Sequence, residues 1–420
     1  MSIVEYGVQD RQLTPKERWV CFSALFFFGF IAAFNLFKAP PVLGFIAQDL
    51  MLSADMVGMI MTSYSICALV FAFPGMWIMH KLGVKFSVIL SGIIMLLGTV
   101  IICFSGDTAT FMVGRALEGC AYGLICVIGP NIMVRLFPLK NQGLCMGIWS
   151  QWIPVGTLLA GLVAPALFSF MGDWRSIWWF SLILEAIALV WMLACVKMPL
   201  VPENTINDGD TSKLKKPQKS FMLAGIMMSV AFFFWAYVYV DNINQMYPTY
   251  LQDVMGLDVT MAAMPTNLIA LITIPFGIIV GIISDKLNCR KALLWIPYLV
   301  VALIIFFLAF NQEGGMPAVW GFAVLMGLCA SCIPTCTRSI IPVLVPEPGK
   351  TDLALTVMAF VTGLAQCCAT FTTMSIGAFG WLGNAQFVAA PCALIACICV
   401  FVFAKNDKKV MKLRAEEQAD

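Results

Sequence analysis

Long apolar runs, each long enough to cross a lipid bilayer, follow one another along this chain. A transmembrane helix needs about 20 mostly apolar residues, whereas strands of an outer-membrane barrel alternate apolar and polar positions. The runs here are continuous and predict an all-α membrane protein with twelve transmembrane helices. The predicted spans cover residues 19–46, 54–79, 86–105, 109–136, 142–171, 175–197, 220–250, 257–283, 292–311, 316–344, 352–379 and 382–404.

Composition supports the same conclusion. Of the 420 residues, 61% are apolar and 11% are charged, against roughly 25% charged in soluble proteins, which excludes a soluble enzyme. The opening run is too long for a signal-peptide core and lacks a small-residue cleavage site, so we expect it to remain as a span. Lysines and arginines lie in short clusters between spans and form no basic face, so we expect the lipid bilayer and no nucleic acid as a partner.

The basic residues also predict orientation. With a cytoplasmic N-terminus, 22 of the 25 lysines and arginines fall in cytoplasmic segments, as the positive-inside rule requires. Both termini are therefore predicted to be cytoplasmic, in a multi-pass protein of a bacterial cytoplasmic (inner) membrane. Cysteines lie within spans or at their ends, so we expect no disulfide. Three of them, Cys329, Cys332 and Cys336, share a helix face without a nearby histidine or acid, so no metal and no cofactor is predicted.

A polar stretch divides the chain into nearly equal halves. We predict an N-terminal six-helix bundle at 1–197, a cytoplasmic linker at 198–219, a C-terminal six-helix bundle at 220–405 and a cytoplasmic tail at 406–420. The segment Gln48–Met51 recurs as Gln252–Met255, and Pro130 recurs as Pro334, at one offset of 204 positions. Recurrence at a fixed offset indicates duplication of a six-span unit, as in transporters built from parallel repeats.

Two motifs resemble those of the major facilitator superfamily. The segment Gly281–Lys291 is similar to its cytoplasmic loop signature, with a counterpart at His80–Lys85, and Arg115–Gly119 is similar to its fourth-span motif. The stretch Asn35–Pro41 is similar to the cyanate and nitrate/nitrite porters, which are anion-type members. The resemblance implies two pseudo-symmetric six-helix bundles, secondary transport by alternating access, and a functional monomer.

The resemblance also implies a cytoplasmic gate. Its predicted residues are His80, Lys81, Arg135, Asp285, Lys286, Arg290 and Arg338. The loop signature carries Asp where the first half has His80, whereas the second half keeps Asp285. A neutral imidazole accepts hydrogen bonds from a helix N-terminus poorly, so we hypothesise that Asp285 with Arg338 carries the gate and that the side of His80 and Arg135 is weaker. In the alternative interpretation, His80 is a solvated loop residue.

Five of the ionisable residues inside the predicted spans stand out: Lys38, Arg115, Glu118, Glu185 and Asp241. Each costs roughly 2.5 to 3.5 kcal/mol on insertion scales and is a functional candidate. Arg115 and Glu118 stand one turn apart and form either a satisfied ion pair or a substrate or proton site. Lys38 either faces an anion or snorkels to the outer surface. Glu185 is expected to be paired or protonated rather than a ligand.

Further polar residues complete the candidate site. At the position that mirrors Lys38 lies a polar patch from Asp241 to Pro248. The predicted substrate contacts are Asn35, Lys38, Arg115, Tyr122, Gln151, Asn244, Gln245 and Asn267, and Glu118 and Asp241 are predicted to couple protons. Trp178 and Trp179, near an outer helix end, are expected to anchor the protein at the membrane interface.

These residues predict a transporter of a small organic or inorganic anion, coupled to protons. The alternative is a drug or amphiphile efflux antiporter, favoured by the 26 methionines and 32 phenylalanines that suit an adaptable apolar site. Against it stand the missing acid in the first span and an incomplete fifth-span antiporter motif. A membrane enzyme or sensor is not expected, because one histidine and no clustered acids offer no catalytic constellation.

Overall fold

A computed structural model of the protein describes residues 13–52, 54–137, 141–196, 219–344 and 348–405. Over these ranges the regular structure is entirely helical, and 11 helical stretches are long and apolar enough to cross a membrane. The predicted all-α membrane fold is therefore confirmed. The predicted cytoplasmic tail, and the linker up to residue 218, lie outside the described residues.

The chain forms two compact units. Unit 1 comprises Met1–Phe137 and Trp152–Asn207, and unit 2 comprises Pro138–Gln151 and Asp208–Asp420. The helices of unit 1 are α1 (Pro15–Phe37), α2 (Leu43–Asp49), α3 (Ala54–Leu82), α4 (Val84–Cys103), α5 (Thr108–Leu136), α7 (Trp152–Met171) and α8 (Arg175–Cys195). The predicted division of the chain at residues 197 and 220 stays a prediction.

Unit 2 begins with the short helix between residues 138 and 151. Its helices are α6 (Gln142–Trp149), α9 (Lys219–Ala236), α10 (Tyr247–Asp253), α11 (Val259–Leu287), α12 (Ala292–Ile304), α13 (Gly315–Leu344), α14 (Pro348–Gln366), α15 (Ala369–Asn384) and α16 (Ala390–Phe403). A π-helical segment, Tyr237–Gln245, joins α9 to α10.

Local sequence signals explain where the helices of unit 1 begin and end. Thr14 and Glu17 form a capping box at the start of α1, which satisfies free backbone amides at both positions. The helix ends at Phe37, and a 3₁₀ turn at Pro40–Val42 follows, because proline cannot continue the α-helical hydrogen-bond ladder. The α-helix thus breaks before the two prolines, and Lys38 lies at the C-cap of α1.

Glycines let α5 approach its neighbours closely. A Cβ atom added at Gly119 would meet the backbone of Tyr64 on α3, and one added at Gly98 on α4 would lie 2.8 Å from the carbonyl oxygen of Gly114. Small residues at such crossings allow transmembrane helices to pack with their backbones in contact. This packing brings side chains of α3 and α4 within reach of Arg115 and Glu118.

The duplication predicted from the sequence is visible in local structure. The first long helix of each half is followed by a seven-residue helix, α2 or α10, that ends at the recurring Asp49 or Asp253. Pro130 and Pro334 lie inside α5 and α13. The predicted span 352–379 is interrupted after α14 at Gln366, and Gly380, with φ at 72°, separates it from the last span.

Candidate functional site

Four ionisable side chains of unit 1 meet in its interior. We define the charge cluster as Lys38 from α1, Arg115 and Glu118 from α5, and Glu185 from α8. Their relative exposures are 0%, 0%, 0% and 1%. The four buried charges that the sequence places in the first six spans thus come together in the structure, where three helices carry them.

Lys38 points inward. Its Nζ lies 2.6 Å from Asn35 Oδ1, 3.1 Å from Glu118 Oε1 and 2.9 Å from Ser181 Oγ. An ammonium group carries three hydrogens, so these three acceptors use all of them. The snorkelling alternative is wrong, because the side chain is fully buried among polar partners.

Arg115 and Glu118 form the ion pair that their one-turn spacing allows. Arg115 Nη1 donates to Glu118 Oε2 at 2.6 Å and to the Asn35 carbonyl oxygen at 2.8 Å. The guanidinium lies over the Tyr64 ring, 4.5 Å from its centroid. Its Nε and Nη2 atoms are buried and make no hydrogen bond with the described part of the chain. These two atoms form one edge of the guanidinium fork, and such an edge binds a carboxylate with two parallel hydrogen bonds.

Glu185 completes the cluster from α8. Its Oε1 accepts from Asn35 Nδ2 at 2.7 Å and lies 2.8 Å from both Ser181 Oγ and Thr99 Oγ1. Thr99, on α4, also lies 2.9 Å from Glu118 Oε1, so its hydroxyl stands between the two carboxyl groups. Its Oε2 is buried and has no hydrogen-bond partner in the described residues, so Glu185 is held through Oε1 alone, and these contacts connect it to the predicted site.

Trp178 corrects a prediction. It was expected at the membrane interface, but it is 0% exposed, and Lys38 Nζ lies 4.6 Å from the centroid of its ring. A desolvated cation over an indole face is stabilised by about 2 kcal/mol. The neighbouring Trp179 is 42% exposed, which suits the anchoring role expected for it. The two adjacent tryptophans therefore lie in different environments, Trp178 beside the buried Lys38 and Trp179 at the protein surface.

The charge cluster is formally balanced when both carboxyl groups are ionised. Two cations face two carboxylates without contact with water, where charge interactions are stronger than at a surface. Removing one member would leave another buried charge uncompensated, at a cost of about 3 to 5 kcal/mol. An added proton or an added anion therefore changes the energy of the whole cluster.

The remaining predicted substrate contact of unit 1 is aromatic. The ring of Tyr122 packs 5.4 Å from Tyr64 and 5.5 Å from Trp152, between centroids. Tyr122 is 3% exposed. It belongs to the layer of rings that includes Tyr64, the residue on which the guanidinium of Arg115 lies.

Unit 2 holds the other predicted substrate and proton residues. Asp241 is buried in the π-helical segment, where its Oδ1 accepts from Gln245 at 3.2 Å and its Oδ2 has no partner in the described residues. Asn244 and Asn267 are half-buried. Gln151 is 2% exposed and donates to the Gly147 carbonyl at 2.8 Å.

The predicted gate residues of the second half surround the start of α6. Asp285, on α11, accepts hydrogen bonds from the backbone amides of Gly143 at 2.7 Å and Leu144 at 2.8 Å. Arg290 Nη2 lies 2.6 Å from the same carboxylate. A carboxylate at a helix N-terminus is stabilised by free amides and by the helix dipole. All these contacts lie within unit 2.

The other predicted gate residues are more dispersed. Arg338 donates to Ser150 Oγ at 3.0 Å. Lys81 is exposed, with its Nζ 4.6 Å from the Trp77 ring centroid. His80 and Lys286 are exposed, and Arg135 is half-buried. The hypothesis of a weaker first-half gate stays a prediction.

Two members of the site were missed in the sequence. Thr99 and Ser181 are neutral residues in apolar spans, and hydroxyl side chains of this kind usually bond within their own helix. Their bridging positions depend on how α4 and α8 pack against α5 and α1. The available signal was a charged residue in a span, and away from the ends of α4 and α8 only Glu185 carries a charge.

Similar proteins are transporters. The chain is 23% identical to the Hexuronate transporter of Bacillus subtilis (strain 168) over 310 residues, which is 70% of each chain. It is 24% identical to the Galactose-proton symporter of Escherichia coli (strain K12) over 193 residues, or 46% of this chain and 38% of that symporter.

Solved structures share the fold. The proton:xylose symporter XylE, bound to 6-bromo-6-deoxy-D-glucose, has a TM-score of 0.80 at 15% identity, over 96% of this chain and 100% of that one. The human organic anion transporter MFSD10 (TETRAN) has a TM-score of 0.72 at 12% identity, over 93% and 100%. The sequence profile described as Major Facilitator Superfamily matches residues 25–367, and the chain therefore belongs to this superfamily of secondary transporters.

Proposed function

We propose that this protein transports a small organic anion together with protons, by alternating access. The observation that supports this most is the edge of Arg115. A fully buried guanidinium with Nε and Nη2 unpartnered in the described residues is a costly arrangement. A carboxylate on the solute would satisfy both atoms, whereas a hydroxyl group would satisfy them less well.

The size class follows from the relatives. A hexuronate is a six-carbon sugar acid, and the transporter of that name aligns with 70% of this chain. The organic anion transporter shares the fold. We therefore propose a monocarboxylate of sugar size as the solute class. Asn35, Lys38, Arg115 and Tyr122 in unit 1 remain proposed substrate contacts, as do Gln151, Asn244, Gln245 and Asn267 in unit 2.

Proton coupling is proposed from the buried carboxyl groups. Glu118 and Asp241 remain the proposed coupling residues. A carboxyl group in a membrane span changes its charge at a high cost unless a proton or a cation compensates it, so both can link protonation to solute binding. The two relatives named as proton symporters are consistent with this coupling.

The test uses two solutes that differ by one carboxylate. Purified protein in liposomes is given labelled D-glucuronate or D-glucose, with and without an inward proton gradient. We expect gradient-driven accumulation of glucuronate and little of glucose. Arg115→Lys keeps the charge but loses the planar fork, so uptake at low glucuronate concentration should fall roughly tenfold to a hundredfold, equivalent to about 1.4 to 2.8 kcal/mol.

Glu313→Gln serves as the matched control, because Glu313 lies in an exposed turn of unit 2. It should transport glucuronate at the wild-type rate. Equal uptake of the two solutes, or an Arg115→Lys variant with wild-type uptake, would overturn the proposal. Export of amphiphilic dyes in place of sugar-acid uptake would favour the efflux alternative.

A further inference from the structure

The oxygen atoms around Glu185 are closer together than their hydrogens explain. Four oxygen pairs lie at hydrogen-bond distance: Ser181 with Asn35 Oδ1 at 2.7 Å, Ser181 with Glu185 at 2.8 Å, Thr99 with Glu118 at 2.9 Å, and Thr99 with Glu185 at 2.8 Å. Each hydroxyl carries one hydrogen. Ser181 Oγ and Asn35 Oδ1 both accept from Lys38, so Ser181 can give its hydrogen to Glu185, whereas Thr99 has one hydrogen for its contacts with two carboxyl groups.

No nitrogen atom in the cluster supplies the missing hydrogens. Lys38 uses its three on Asn35, Glu118 and Ser181, and the amide of Asn35 donates to Glu185. Arg115 points its bonded nitrogen at the other oxygen of Glu118. A hydrogen that fills the second contact of Thr99 would be an acidic proton on one of the two carboxyl groups.

We propose that Glu118 and Glu185 share one proton through the hydroxyl of Thr99, and that this is the proton through which Glu118 couples to the solute. In one form, Glu185 Oε1 carries the proton and donates it to Thr99 Oγ1, while Thr99 donates to the Glu118 carboxylate. When Thr99 passes its own hydrogen to Glu118 and takes the proton from Glu185, one O–H bond breaks and one forms at each step. The negative charge moves from Glu118 to Glu185, and no other reactant is needed.

The charge of the cluster explains why proton binding and anion binding are coupled. This coupling rests on the function proposed above, whereas the shared proton itself does not. With the proton bound, the charge cluster carries two positive charges and one negative charge. Without it, the charges balance. An anion at the free edge of Arg115 is favoured in the first state, so the proton and the anion each raise the affinity for the other. Mutual favouring of this kind gives symport.

The groups that face the two carboxyls are few in the described residues. They are Lys38 from α1, Tyr64 from α3, Cys103 from α4 and Arg115 from α5. Tyr64 donates its hydroxyl to the Ala32 carbonyl at 3.0 Å, and Cys103 is a neutral thiol at ordinary pH. Among these groups, the two carboxyl groups are therefore the acids that can exchange a proton without the loss of a cation.

Infrared difference spectroscopy tests the shared proton without any solute. Full-length protein in lipid nanodiscs is titrated with acid, and the carbonyl stretch of a protonated carboxyl group is followed. We expect one such band to be lost in both Glu118→Gln and Glu185→Gln, because a single remaining carboxylate next to two cations stays ionised. Asp241→Asn, which removes a buried carboxyl group of unit 2, should keep this band.

Substitutions of Thr99 distinguish a hydroxyl that bridges the shared proton from a hydroxyl with a merely structural role. Thr99→Val removes the bridging hydroxyl and should shift the frequency of the band, whereas Thr99→Ser keeps the hydroxyl and should leave it in place. A band that survives either glutamine variant, or one that is the same in Thr99→Val and Thr99→Ser, would overturn the proposal. The serine variant also controls for folding, since it retains every polar contact.

Coupling is measured separately as D-glucuronate affinity against pH. In an Asp241→Asn background, which removes the coupling carboxyl group proposed in unit 2, affinity should fall by up to about tenfold per pH unit as the shared proton leaves. Adding Glu185→Gln to this background should make the profile flat. A pH-dependent affinity in this double variant would refute the coupling. If glucuronate does not bind at all, the proposed function fails while the infrared result still decides whether the proton is shared.

Discussion

Replacing Lys38 by methionine removes one cation from the charge cluster while keeping an unbranched side chain of similar length. The change deletes contacts to Asn35, Glu118 and Ser181. At a pH above that at which the shared proton leaves, both carboxyl groups are ionised, so Glu118 keeps Arg115 but Glu185 loses the cation that compensates it. Removing one partner from a buried ion pair costs about 3 to 5 kcal/mol, and we expect the free energy of unfolding of Lys38→Met to fall by that amount.

A double-mutant cycle separates charge imbalance from lost packing. Lys38→Met with Glu185→Gln restores the balance, with Arg115 facing Glu118. If charge causes the loss, the double variant should be about 1 to 3 kcal/mol more stable than the sum of the single changes, the usual coupling between residues of one network. Equilibrium unfolding in mixed micelles of SDS and a mild detergent, followed by tryptophan fluorescence, measures this difference.

Lys81→Met is the matched control. Lys81 is exposed, and substitutions at such positions usually change stability by no more than about 0.5 kcal/mol. The reasoning is refuted if Lys38→Met unfolds like Lys81→Met. It is also refuted if the double variant loses the full sum of the two single losses, since the charges of Lys38 and Glu185 would then act independently.

Three further outcomes are expected. Gly119→Ala should destabilise the protein by about 1 to 3 kcal/mol through overpacking against Tyr64, whereas Gly321→Ala, with open space around its Cα, should not; detergent unfolding compares them. Hydrogen bonds from the Thr110 hydroxyl and amide hold the pKa of the Asp107 carboxyl below its usual value. The stabilisation from these bonds is therefore complete above that usual value and is lost as the pH falls through the folded pKa. The difference in melting temperature between wild type and Asp107→Ala should accordingly shrink at acidic pH. Asp285→Asn should speed hydrogen exchange at the start of α6, measured by mass spectrometry.

The fold was predictable because the bilayer imposes simple requirements on sequence. Apolar runs, basic loops and a repeat offset each follow from helix length, lipid and duplication. The end of α1 before Pro40 was also predictable, because it depends only on the prolines next to it in the sequence. The interruption at Gln366 was not predicted, because the residues around it are as apolar as the helices that they separate.

The site was predictable mainly where a residue carried a charge; Asn35, which contacts Lys38 and Glu185, is the neutral member of the cluster that the sequence also indicated. Lys38, Arg115 and Glu185 stand out in apolar spans, since burial of each needs compensation. Which of them meet depends on the crossing of four helices, and sequence spacing gives only the pair of Arg115 and Glu118 on one helix. Trp178 was misplaced for the same reason: its position near a helix end is typical of an interfacial anchor, but α8 turns it towards Lys38.

The two halves use the same position differently. Asn242, which mirrors Lys38 at the repeat offset, accepts a hydrogen bond from Asn384 Nδ2 at 2.8 Å, and Ser375 donates to Asn384 Oδ1 at 2.6 Å. In each half, a polar residue at the end of the first span thus bonds to the last span of that half. In unit 1 the donor of this contact is the charged ammonium of Lys38, which bonds to Ser181, whereas in unit 2 both partners are neutral amides.

A neutral contact should contribute to stability and not to proton coupling. Asn242→Leu leaves the buried amide of Asn384 with one hydrogen bond fewer, at a cost of about 0.6 to 1.7 kcal/mol inside a membrane. No ionisable group is lost, so the pH dependence of glucuronate affinity should match that of the wild type. A flattened profile in Asn242→Leu would mean that the proton site extends beyond the charge cluster, because only a change in proton binding can alter how affinity varies with pH.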